Sequence, residues 1–109
     1  MALIKINKDN FEDDVIKNEK PVIIDFWAEW CGPCKILGPT FEKLSGEYED
    51  KMTFGKLNVD ENQDISAKFS VQGIPSMIVF NRGIEVGRIV GALPESLLRE
   101  KIDEIITSL

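Results

Sequence analysis

The sequence predicts an α/β fold: a central mixed sheet of five strands flanked by four helices, in the order β-α-β-α-β-α-β-β-α. Three observations predict it. Strand-like and helix-like segments alternate along most of the chain, which implies right-handed crossovers with helices on both faces of a sheet. Val22-Ile23-Ile24-Asp25-Phe26-Trp27-Ala28 is apolar apart from one aspartate, as suits a central parallel strand covered on both faces. Near the C-terminal end, Asn81-Arg82-Gly83 has turn chemistry between two apolar runs, so at least one strand pair is antiparallel and the sheet is mixed.

The elements follow in order. Leu3-Ile4-Lys5-Ile6 is a short strand. Asn7 or Asp9 caps a helix, Asp9 and Glu12 have capping-box spacing, Phe11 and Val15 form an apolar stripe, and Pro21 closes the segment. After the central strand, a helix carries Leu37, Phe41, Leu44 and Tyr48 at spacings of four, three and four, with Pro39 inside it as a kink. Met52 to Val59 is a strand, followed by an acidic turn at Asp60-Glu61 and a short helix marked by Ile65 and Phe69. Gly73-Ile74-Pro75 leads into the strand Ser76 to Phe80, and Val86 to Val90 is its hairpin partner. Pro94 sits in the first turn of the last helix, whose buried face is Leu97/Leu98, Ile102, Ile105/Ile106 and Leu109.

Composition narrows the function classes. The 109 residues fit one domain, 1–109. Thirteen basic against nineteen acidic residues give a net charge of −6 with no basic run, which argues against nucleic acid and anionic membranes as partners. No apolar stretch approaches the roughly 18 residues of a membrane span. Met1-Ala2-Leu3-Ile4-Lys5 is too soon charged for a signal peptide, so a cytoplasmic location is expected. In a reducing compartment a cysteine pair is more often catalytic or metal-binding than a staple.

Both cysteines lie in Trp30-Cys31-Gly32-Pro33-Cys34, where the apolar run ends and the helical pattern begins. The thiolate is the attacking species in disulfide exchange, and Cys31 falls at the start of the helix that Pro33 opens. Unpaired N–H groups and the positive end of the helix dipole favour an anion there. Cys34 lies one turn further in. Gly32 and Pro33 carry no bulky side chains, so the Cys31 sulfur is expected to be accessible and Cys34 sheltered. Two cysteines and no histidine fall short of a four-ligand zinc site, although paired motifs from two chains would supply four. As a staple, so short a loop would restrict the unfolded chain little. There is no Gly-x-Gly-x-x-Gly fingerprint or phosphate loop, so no bound cofactor is expected beyond a reversible Cys31–Cys34 disulfide.

Asp25 interrupts the apolar strand six residues before Cys31. It is either an aspartate at a bulge or edge, or a buried acid whose raised pKa lets it take the proton of Cys34. Lys56 shares a strand face with Met52 and Phe54; its ammonium either pairs with Asp25 or bends out to water. Trp27 reads as core. Trp30 either packs locally or presents a surface to a partner.

These residues closely resemble the thioredoxin family. The segment Trp27-Ala28-Glu29-Trp30-Cys31-Gly32-Pro33-Cys34-Lys35 is similar to the family's active-site segment. Asp25, Pro39, Lys56-Leu57-Asn58-Val59-Asp60, Gly73-Ile74-Pro75 and Val90-Gly91-Ala92 match further landmarks in order, nearly end to end. The resemblance implies a thioredoxin fold and a general protein-disulfide reductase, with Cys31 attacking, Cys34 resolving, and Asp25 carrying the proton with help from Lys56. It further implies that Pro75 is a cis-proline facing the disulfide and that the Ile74 backbone pairs with an extended partner segment. The expected docking patch is Trp30, Gly32, Pro33, Ile74, Pro75, Gly91 and Ala92. The implied partners are disulfide-containing target proteins and a thioredoxin reductase, met by a monomer. Ser76 departs from the Thr commoner after the proline, and Gly38 from the Ala frequent before Pro39. Between the cysteines no histidine stabilises the thiolate, which favours a reductase over an oxidase or isomerase; a non-enzymatic interaction module is the alternative of another class.

Overall fold

The apolar run at 22–28 becomes the middle of the sheet. In the computed structural model, which describes residues 3–109, Val22–Trp27 forms β2, flanked by β3 (Thr53–Asn58) and β4 (Ser76–Asn81). β1 (Leu3–Lys5) and β5 (Ile84–Val90) are the edges, giving the order β1-β3-β2-β4-β5. β2 runs parallel to β3 and antiparallel to β4, so the strand expected to be parallel is so on one side only. Its coverage is as expected, since Val22 to Phe26 are all fully buried.

Alternation along β2 sorts its side chains into two cores. Ile23 joins Phe54, Met77 and Val79 under α1 (Gly32–Glu47) and α3 (Glu95–Thr107), which contribute Leu37, Phe41, Leu44, Leu98 and Ile102. Val22, Ile24 and Phe26 face the other way, onto Phe11, Val15 of the Glu12–Ile16 segment that follows it, and Ile65 of α2 (Gln63–Lys68). Period-two alternation therefore puts Asp25 and Trp27 on the α1 side, with Ile23. A buried Phe or Leu contributes about 1.5–3 kcal/mol by burial, and Phe26, Phe41, Phe54 and Phe80 are all fully enclosed.

Several expected details change. The first helix is a single π-type turn, Glu12–Ile16, closed by Lys17 N donating to the Glu12 carbonyl at 3.0 Å. Asn7, not an Asp9–Glu12 capping box, organises its approach: Asn7 Oδ1 accepts from the amides of Asp9 (2.8 Å) and Asn10 (3.2 Å). The chain turns through 8–10 before the helix starts, which puts Asp9 inside the turn rather than at its entry. Pro94 is the N-cap of α3 rather than part of its first turn. The buried stripe of α3 is narrower than expected, because Leu98 and Ile102 point at the sheet while Leu97 and Leu109 stay exposed. β5 begins at Ile84, two residues early, because Arg82 and Gly83 alone make the turn, both with positive φ (52° and 83°). That is the two-residue geometry whose twist suits a hairpin. Among the described residues no helix is long and apolar enough to cross a membrane.

Candidate active site

Cys31 is the N-cap of α1, with extended backbone (φ −92°, ψ 110°), and Gly32, Pro33 and Cys34 are the first three helical residues. Pro33 falls where a backbone N–H would have no partner within the helix, so its missing donor is no loss. The Cys34 amide donates to Cys31 Sγ at 3.2 Å. The sulfur thus occupies the place that a Ser or Asp oxygen takes at ordinary helix starts. A thiolate there would meet a directed N–H and the positive end of the helix dipole together.

Cys31 and Cys34 are joined as a disulfide, with Cα atoms 5.3 Å apart. They form a small cluster with Ala28, packed by Trp27, Val59 and Ile74. This corrects the expected accessibility: the Cys31 residue is 4% exposed and Cys34 2%, so both are enclosed. The small neighbours Gly32 and Pro33 are exposed as expected, but Ile74 closes the other side, its carbonyl oxygen 3.8 Å from Cys31 Sγ.

On β2, Asp25 is completely buried and neither carboxylate oxygen has a hydrogen-bond partner. The bulge or exposed-edge alternative therefore fails. Burial pushes its pKa up to about 7, against a smaller lowering by the Lys56 charge. Asp25 and Lys56 are register partners on the parallel strands β2 and β3. Their charged groups are not ion-paired, however. The Lys56 ammonium lies over the Trp27 ring, 4.5 Å from its centroid. A cavity of about 600 Å³, lined by Trp27, Cys34, Gly38, Pro39, Glu42 and Lys56 among others, opens on this side of α1. Pro39 lies inside the unbroken helix at that wall, and the neighbouring Gly38 leaves room: a Cβ there would meet only Lys56 Nζ, at 3.8 Å.

Beside the disulfide, the Ile74–Pro75 peptide is cis, and the Pro75 carbonyl accepts from the Gly91 amide at 2.9 Å. Gly91 has φ 103°, a conformation that disfavours any side chain. Trp30 is 69% exposed, and Ile74, Gly91 and Ala92 are half-buried, Ile74 against the cysteines. Pro75 is the exception in the expected patch, being buried rather than on the surface.

Two residues gain significance only in three dimensions. Trp27 is half-buried against Lys56 rather than simply core. Asp60 accepts a 2.9 Å hydrogen bond from Trp30 Nε1 and so fixes the exposed indole. The alternation that puts Asp25 and Trp27 on one face was available from the sequence; the contact between positions 30 and 60 carried no local signal.

Known proteins share this plan. The family model described as Thioredoxin matches residues 2–104. The chain belongs to the thioredoxin family. It is 45% identical over 97 residues to a thioredoxin of Chlorobaculum thiosulfatiphilum, covering 89% of this chain and 90% of that protein. It is 43% identical over 104 residues to one from Staphylococcus haemolyticus (95% and 98%), and 42% identical over 101 residues to one from Pseudomonas aeruginosa (93% and 94%). Family membership and the Cys31–Cys34 disulfide make this a thiol-disulfide oxidoreductase of the thioredoxin type.

Proposed function

We propose that residues 1–109 act as one domain and as a general protein-disulfide reductase, a dithiol carrier that donates electrons to disulfides of other proteins. The observation that carries this reading is the Cys34 amide directed at Cys31 Sγ, with a buried, unpaired Asp25 on the strand that leads to the cysteines. In the reduced protein the Cys31 thiolate attacks one sulfur of a target disulfide. One Cys31–target disulfide forms and the other target sulfur leaves as a thiolate. Cys34 then gives its proton to ionised Asp25 and attacks Cys31 Sγ. The Cys31–Cys34 disulfide forms, the second target sulfur leaves, and the target has gained two electrons. A carboxyl group with a pKa of about 7 is suited to take that proton and return it to water at neutral pH. Lys56 tunes it by its nearby charge.

Gly32 and Pro33 leave the approach to Cys31 free of bulk and charge, and the absence of a histidine between the cysteines leaves the thiolate less stabilised. A less stabilised reduced form is the better electron donor, which favours reduction over oxidation or isomerisation. Partners dock on Trp30, Ile74, Gly91 and Ala92, with Pro75 supporting that surface from beneath. An extended target segment pairs with the Ile74 backbone as an added strand. A separate thioredoxin reductase restores the dithiol, no further cofactor takes part, and the protein works as a cytoplasmic monomer.

Reduction of insulin disulfides, with a chemical dithiol as electron source, tests the assignment. Turnover well above the dithiol alone is expected, and no acceleration would remove the catalytic reading.

A further inference from the structure

Lys56 has two groups that could hold its charge, and it uses the less obvious one. Its register partner Asp25 offers a buried carboxylate, yet both oxygens of that carboxylate are unbonded. The ammonium sits instead on the Trp27 indole, 4.5 Å from the ring centroid. Trp27 and Lys56 also line two cavities in common. One, of about 600 Å³, adjoins Cys34 and Gly38; the other, of about 330 Å³, lies at the β1 edge with Lys5, Glu29 and Glu61. The ring and the lysine are thus shared by the walls of both cavities. A cation over an indole face is held by the ring quadrupole, most strongly where water is partly excluded.

We propose that Trp27 is a positioning residue for the proton-transfer site: its indole face holds the Lys56 ammonium off the Asp25 carboxylate. With the lysine parked on the ring, Asp25 feels a cation at a distance instead of a hydrogen-bonded ion pair. A direct pair would keep the carboxylate ionised far below neutral pH and make it a poor acceptor for the Cys34 proton. Other charges do not take over this role. Lys35, Glu42 and Lys43 reach the Cys34-side cavity from α1, while Lys5, Glu29 and Glu61 surround the second cavity. On β4 the residue opposite Asp25 is Met77, which is uncharged. The inference rests on the proposed role of Asp25 for its functional meaning, though not for its test.

The test is the titration of the Asp25 carboxyl followed by carbon NMR in Trp27→Leu, Trp27→Phe and Lys56→Met, and in the Trp27→Leu/Lys56→Met double variant. In Trp27→Leu the released ammonium is expected to close on Asp25 and lower its pKa by about one to three units. Trp27→Phe, which keeps an aromatic face, should stay near the parent. With Lys56 already replaced, Trp27→Leu should have no further effect. An unchanged or raised pKa in Trp27→Leu, an equal fall in Trp27→Phe, or a fall that persists without Lys56 would each overturn the proposal. The parent protein gives a measurement that needs no variant to fold: the Lys56 ε-methylene protons should be shifted upfield by the indole ring current, and unshifted protons would also overturn it. Separately, the pH profile of mixed-disulfide resolution in Asp25→Asn tests the proton-carrier role itself. An unaffected profile would remove that role while leaving the Trp27 result standing.

Discussion

Asp25 shows what one residue costs the folded chain and what it supplies in return. Its carboxyl titrates near 7 when folded and at 3.8 when free, chiefly because burial disfavours the charge. Well below pH 3.8 the group is neutral in both states and burial of charge costs nothing. As pH rises through 7 the folded protein must hold an ionised carboxylate that the unfolded chain solvates, so stability is lost between those two values. The full difference corresponds to about 4 kcal/mol. Asp25→Asn is therefore expected to be more stable than the parent at pH 8 by a few kcal/mol and to lose that advantage at pH 4. Urea unfolding at the two pH values checks this, and an equal gain at both would refute it. The cysteines carry the complementary prediction. Cys34→Ser should accumulate covalent complexes with target proteins through Cys31, visible on non-reducing gels, whereas Cys31→Ser should not. Equal trapping by both variants would mean that the attacking and resolving roles are reversed. The oddness of Asp25 was legible from its place in an apolar run. The position of Lys56 was not, because strand alternation fixes a face but does not choose between a carboxylate and a neighbouring ring.

Elements hold these residues in place by close approach as much as by hydrogen bonds. Gly55, in the middle of β3 beside Lys56, has no room for a side chain: a Cβ would lie 2.7 Å from Cγ1 of the fully buried Ile6. Gly55→Ala is expected to destabilise the fold by about 1–3 kcal/mol through overpacking. Thermal unfolding measures it, and a neutral result would show that the β1–β3 edge yields easily. The loop after β3 has a different job, since Asp60 fixes the exposed Trp30 indole. Asp60→Ala should change stability by only about 0.5 kcal/mol while slowing reduction of protein disulfides several-fold and that of a small disulfide much less. Equal slowing on both substrates would argue that the indole has no part in docking. The long helix was plain in the sequence because Leu37, Phe41, Leu44 and Tyr48 repeat with its period, and all four are buried. The π-turn at Glu12–Ile16 was not, because Asn7, Asp9 and Asn10 are all capping residue types and propensity cannot rank them.

At the scale of the molecule, a mixed sheet with helices on both faces brings one helix start and one loop together at the cysteines. The start of α1 supplies Cys31 and Cys34, β2 supplies Asp25, and the segment entering β4 supplies Ile74 and Pro75. α3 secures the arrangement by burying Leu98 and Ile102 against the sheet. Leu98→Ala should cost about 2–5 kcal/mol, whereas Leu97→Ala, at an exposed position, should cost little; denaturant midpoints separate the two. The alternation of strands and helices and the tight final hairpin made this architecture readable from the sequence. The antiparallel side of β2 was hidden, because local patterning does not say on which edge a later strand docks. This assembly is expected to give electrons to protein disulfides rather than take them. Equilibration of Cys31–Cys34 against defined ratios of reduced and oxidised glutathione tests it most directly. A potential more reducing than the glutathione couple is predicted; one more oxidising than glutathione would instead make the protein an oxidant of thiols and rule out electron donation.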